Sequence, residues 1–242
     1  MKNKINTRTI KFYESNPHFD VNKKKNTIIK INGSAFKAYA EKTPIDELVF
    51  DMDETAKYLC ENIKGAKFAY VQPEEISILL KNSDAPSEQW LGGDLQKMAS
   101  VAASMATNAF NLSKLKRIYC KEEIFPESLE FVEFEAKVFK MSRKQEVNKY
   151  FMWRQQFANK NNISSLVDSL YSKEELEGKS FTEKQDLILQ RGINWDKLSS
   201  RYAIGQFVEK NSEDGEETWG IVMPPVFSIE EDFLSSRINE RN

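Results

Sequence analysis

The chain has 242 residues, 40% of them hydrophobic and 12% aromatic, enough to bury one substantial core or one core with a large appendage. Its 35 basic residues face 37 acidic ones, and a net charge of -2 excludes a global field pulling it toward nucleic acid or an anionic membrane. Two cysteines, Cys60 and Cys120, no apolar leader and no bilayer-length run predict a cytoplasmic, reduced protein with no membrane partner.

After a Lys/Asn-rich start over 1–26, "TIIKIN" (27–32) predicts a buried strand closed by a turn at Gly33. The lone histidine, His18, falls in that polar start, which removes imidazole zinc sites, Ser-His-Asp triads and Cys-His pairs from consideration. Without a Walker-type glycine loop either, any chemistry rests on carboxylates, lysines and metal ions. From Asp46 to Lys64, Leu48, Met52, Ala56, Leu59 and Ile63 recur at helical spacing, and Gly65 is placed to end that helix. Two short apolar runs follow, Phe68 to Val71 and Ile76 to Leu80. They predict a hairpin with Pro73 in the turn and Glu74 and Glu75 at the tip.

Residues 90–110 predict a second helix with Leu95, Met98, Ala102, Met105 and Ala109 on one face. "LEFVEFEAKVF" (129–139) alternates as a fourth strand, and the order β-α-β-β-α-β is the ferredoxin-like, palm-type α+β unit. Further helices are expected to start at the capping-box spacings Ser142 with Gln145 and Thr182 with Gln185, the second ending at Gly192. "YAIGQFVEK" and "EETWGIVM", joined across "NSEDGE", predict a terminal hairpin before a polar tail. The expected organisation is an N-terminal segment (1–26), a palm-like unit (27–141), and a helical extension with hairpin and tail (142–242) packed as one unit with the palm.

In this topology the first strand lies beside the third, so Asn32 and Gly33 end near Glu74 and Glu75. Acids gathered there suit two-metal nucleotidyl transfer, in which cations about 3.5–4 Å apart clamp the attacking and leaving oxygens. Read as residues alone, Glu74 and Glu75 are first a solvated turn, Lys97 a solvated helix face and Tyr150 and Trp153 core or subunit contacts, while Asn32 is also compatible with turn support.

Five stretches carry a resemblance: "INGSAF" (31–36), "AYVQPEEIS" (69–77), "GGDLQKMASVAASMATNAFN" (92–111), "YFMWRQQFANKNN" (150–162) and "GINWDKL" (192–198). From about Arg8 to Val208 the chain resembles the tRNA(His) guanylyltransferases and their bacterial, archaeal and phage relatives, reverse-direction (3'-5') polymerases. That resemblance implies a homotetrameric palm enzyme using Mg2+ and ATP or GTP, joining a nucleoside triphosphate to the 5' end of tRNA. It implies catalytic and metal-ligating roles at Asn32, Glu74 and Glu75. It implies nucleotide contacts at Gly33, Ser34, Ala35, Phe36, Lys42, Asp46 and Lys97, and RNA-binding or structural roles at Trp153, Arg154, Gln155 and Asn161.

The chain departs from the family pattern where the chemistry belongs. Asn32 replaces a metal-ligating aspartate and Lys30 an arginine, Pro73-Glu74-Glu75 replaces Ser-Asp-Glu, Asp94 replaces a basic residue facing phosphate, Phe157 an aspartate and Glu135 an aspartate. Losing one carboxylate from a two-ion site costs several kcal/mol of transition-state stabilisation, on the order of a thousandfold in rate. Three functions follow: an active tRNA 5'-end nucleotidyltransferase with unusual ligands, a non-catalytic nucleotide- or RNA-binding decoy or regulator, or a protein-interaction scaffold. Lys/Asn richness fits an AT-rich, phage-like genome.

Overall fold

The computed structural model describes residues 26–34, 36–40, 42–81, 88–120, 130–192, 201, 204–213 and 216–239. His18, Ala35 and most of "GINWDKL" lie outside the described residues.

Isoleucines alternating with Lys30 and Asn32 form strand β1 (Asn26–Ser34). A short helix α1 (Phe36–Ala40) leads to α2 (Ile45–Asn62), which buries the expected Leu48, Met52, Ala56 and Leu59. Strands β2 (Ala66–Gln72) and β3 (Glu75–Leu80) make the expected hairpin, with Gly65 at φ 85° in the turn before it. Helix α3 runs over Leu95–Cys120, ten residues past the expected end. Asp94 separates it from a 3-10 turn at Trp90–Gly93, within which Leu91, Gly92 and Gly93 have positive φ, so the expected start at 90 is corrected to 95. Strand β4 spans Glu133–Met141, displaced toward the C-terminus from the expected 129–139.

The remaining elements are α4 (Lys144–Leu170), α5 (Lys173–Leu176), α6 (Phe181–Gln190), β5 (Gln206–Glu213), β6 (Glu216–Val222) and α7 (Glu231–Asn239). Both expected caps are corrected. Helix α4 is capped at Arg143 with Glu146, and α6 at Ser180, whose hydroxyl accepts from Glu183 N. Helix α7 replaces part of the expected polar tail, and β5 extends through Glu213, shortening the expected connection to β6.

All pairings are antiparallel in the order β4-β1-β3-β2-β5-β6. One face of the sheet, with Ile29, Ile31, Val71, Ile76, Ile78 and Val208, packs on α2 and α3. The other, with Ile28, Phe68, Tyr70, Leu79, Phe139 and Phe207, packs on the first half of α4 and on α7. A third small core joins Ile163 and Val167 of α4 to Ile188 of α6. Among the described residues no helix is long and apolar enough to cross a membrane.

Candidate functional site

Strand pairing sets the site. Asn32 lies opposite Glu75 on one side and Glu135 on the other, and Gly33 N donates to Glu74 O at 3.3 Å, so the end of β1 is stitched to the hairpin tip. Alternation turns Lys30 and Asn32 to the α4 face, together with Glu75 and Ser77 of β3. Gly33 is required by packing, because a Cβ there would run into the Phe36 ring.

Glu75 is the hub. Its Oε2 sits 2.8 Å from Arg154 Nη2 and 3.3 Å from Lys30 Nζ. With its nitrogen turned toward Glu75, the Asn32 amide donates to the same oxygen at 3.1 Å and to Ile31 O at 3.2 Å. Arg154 Nε donates to Tyr150 OH at 3.2 Å, Tyr150 and Ser77 hydroxyls meet at 2.9 Å, and Ser77 Oγ donates to Glu75 Oε1 at 3.4 Å. The relay closes a ring between β3 and α4, and Gln72 adds a bond from Nε2 to Arg154 O at 3.0 Å. Tyr70 stands beside it, its hydroxyl donating to Ile204 O at 2.7 Å and its pKa pushed up by burial.

The expected site residues divide accordingly. Asn32, Gly33, Glu74, Glu75 and Arg154 come together. Glu74 is exposed at the tip and Ser34 at the strand end. Phe36 is buried in an aromatic cluster with Tyr39, Phe110 and Phe134. Lys42, Asp46 and Lys97 are exposed, and no described contact joins them to Glu75; Lys42 lies 3.8 Å from Glu130. Asp94 caps α3, accepting from the amides of Gln96 at 3.0 Å and Lys97 at 3.1 Å. Trp153 is nearly buried, with the Arg154 guanidinium 4.8 Å from its ring centre and Phe157 stacked on it at 5.2 Å. Gln155 anchors the segment after β6, donating to Pro225 O at 3.0 Å and accepting from Phe227 N at 2.8 Å, and Asn161 is exposed.

Sequence reasoning did not assign Lys30, Gln72, Ser77 and Tyr150 to this network. The signals were available: residues 30 and 32, and 75 and 77, share strand faces, and Tyr150 and Arg154 are i, i+4 on a helix.

The donor set does not fit a pair of divalent cations. Glu75 is already balanced by two cations, Asn32 brings no charge and turns its nitrogen to Glu75, and Glu74 faces solvent. Among the described residues no three His, Cys, Asp or Glu side chains converge to hold a metal ion. Magnesium demands near-octahedral oxygen ligation with carboxylate charge, and this arrangement offers donors where acceptors are needed.

An antiparallel palm with paired acids at its hairpin tip defines a nucleotidyltransferase-type scaffold. The family profile of tRNAHis guanylyltransferase (Thg1) matches residues 7–142, and the chain belongs to that family. It is 30% identical to a bacterial tRNA(His) guanylyltransferase (Thg1)-like protein in complex with ATP, with TM-score 0.78 over 96% of this chain and 97% of that one. A bacterial Thg1-like protein in complex with GTP gives 28% identity and TM-score 0.74 over 96% and 98%. The Saccharomyces cerevisiae tRNA(His) guanylyltransferase shares the fold, with 16% identity and TM-score 0.64 over 93% and 100%. No curated protein matches the chain.

Proposed function

We propose that this chain binds a nucleoside triphosphate, ATP or GTP, at the end of β1 and the β2–β3 tip, and has lost the transfer step of its family. The observation that carries the reading is 30% identity over nearly the full chain to a bacterial relative in complex with ATP, combined with Glu75 neutralised by Lys30 and Arg154. The palm (27–141) holds the phosphates, and the extension (142–242) locks the palm through Arg154. Magnesium enters as the counter-ion that the triphosphate brings. The chain acts in the cytoplasm as a homotetrameric nucleotide- or tRNA-binding regulator or decoy; its two free cysteines suit a reducing compartment.

A second reading, an active tRNA 5'-end nucleotidyltransferase, is favoured by two adjacent carboxylates, Glu74 and Glu75, still standing at the hairpin tip. Calorimetry with ATP and GTP, beside incubation of α-phosphate-labelled GTP with tRNA(His), separates the two. Saturable binding without label transfer is expected. Transfer would establish the second reading, and absence of nucleotide binding would remove both.

A further inference from the structure

Helix α4 carries no Asp or Glu from Val147 to Val167, a stretch that holds Lys149, Arg154 and Lys160. Its exposed side there presents Gln156, Phe157, Lys160 and Asn161. Phe157 is the apolar member of that group, and 41% of its surface meets solvent. Its ring is nevertheless held in place. It stacks on the nearly buried Trp153 with centres 5.2 Å apart and an interplanar angle of 22°. With Trp153 on one side, Phe157 offers a flat aromatic surface on a fixed support, suited to an offset-stacked partner.

The fold places this surface at the nucleotide site. The Arg154 guanidinium lies 4.8 Å from the Trp153 ring centre and reaches Glu75, so one indole and one guanidinium separate Phe157 from the hairpin tip. At 100° per residue, Trp153 and Phe157 lie on the side of α4 away from Gln155, which is tied to the segments beside β5 and β6. By the strand order that side overhangs β1 and β4. The sheet face below it presents Lys30, Asn32 and Ser34 of β1 and, opposite them, Lys137, Glu135 and Glu133 of β4, with Glu74 at the tip.

We propose that the base of the bound nucleoside triphosphate stacks on Phe157. The inference rests on the nucleotide-binding reading and adds to it what holds the base. The exposed Glu133 and Glu135 disfavour phosphate against β4, which leaves that side to the uncharged base. Glu74 faces the triphosphate and the magnesium it brings, and the acid-free wall of α4 adds no further repulsion.

The test is calorimetry of the full chain with ATP, GTP and inorganic tripolyphosphate, each in magnesium buffer. Phe157→Ala should weaken ATP and GTP roughly tenfold, as loss of one stacked base predicts, and leave tripolyphosphate unchanged. Phe157→Trp should restore both nucleotides, and Phe157→Leu should not. Circular dichroism establishes that each variant is folded, and sedimentation reads its oligomeric state. Equal weakening of tripolyphosphate would mean that Phe157 acts through the fold, and would overturn the inference. Nucleotide affinities left unchanged by Phe157→Ala would overturn it too, whether the variant instead loses an unphosphorylated single-stranded RNA or changes its oligomeric state. Either result leaves the nucleotide reading standing. Absence of nucleotide binding by the wild type would overturn both.

Discussion

Asp53 sits on α2 with 1% of its surface exposed, its Oδ2 ion-paired with Arg201 and its Oδ1 meeting no partner among the described residues. Burial pushes its pKa from 3.8 to about 6, against the lowering pull of the Arg201 hydrogen bond and charge. The folded chain thus holds this proton more tightly than the unfolded one. The associated stability is fully present below the ordinary value and is lost as pH rises through about 6. A shift of this size corresponds to roughly 2–3 kcal/mol. Asp53→Asn, which keeps an oxygen for Arg201, should therefore melt above the wild type at pH 8 and lose that advantage near pH 4. Thermal melts across this range read the difference directly, and parallel curves would refute it. Sequence periodicity marked the apolar stripe of α2 but not the buried acids beside Met52. The partners that make them tolerable, Arg201 for Asp53 and Ser113 and Arg117 for Asp51, lie far away along the chain.

At the scale of elements, Asp94 shows how a residue changes meaning once its helix is located. Its position in the family pattern suggests repulsion of phosphate, whereas the fold uses it to satisfy the first amides of α3. Asp94→Ala should cost about 1 kcal/mol and Asp94→Ser much less, since either hydroxyl or carboxylate serves as cap. Urea unfolding of both variants separates capping from charge: equal losses would mean the cap contributes nothing. The same physics explains the displaced starts of α4 and α6. Overlapping capping frames occur at 142/145 and 143/146, and at 180/183 and 182/185. The carboxylates Glu146 and Glu183, which reach back to the cap amides, win over the glutamines. Helix α7 was not legible because its packing into the core rests mainly on Leu234 and Ile238, one turn apart, which is too short a pattern to register as periodicity.

The whole molecule shows which relations a linear pattern carries. The order of β4, β1, β3 and β2 follows from β-α-β-β-α-β, and with it the meeting of Asn32 and Glu75. That β5 and β6 continue the sheet beyond β2 does not follow, because a hairpin's alternation is silent about which edge it joins. The choice is made by side-chain fit. Phe207 stacks on Phe68 at 4.7 Å, and Gly205 leaves room for Tyr70 and the Val71 carbonyl. The two large cores share this sheet and should unfold together, whereas the third is confined to the far part of α4 with α5 and α6. Local stability follows the density of buried apolar contacts. Amides of α6 should therefore exchange with deuterium well before those of β1 and β3. Ile188→Ala, a deletion in a small core that costs about 2–4 kcal/mol, should accelerate exchange in α6 while leaving β1 and β3 protected. Equal acceleration in both places would mean that the extension and the palm open as one unit, and that the Arg154 ring transmits stability along the whole of α4.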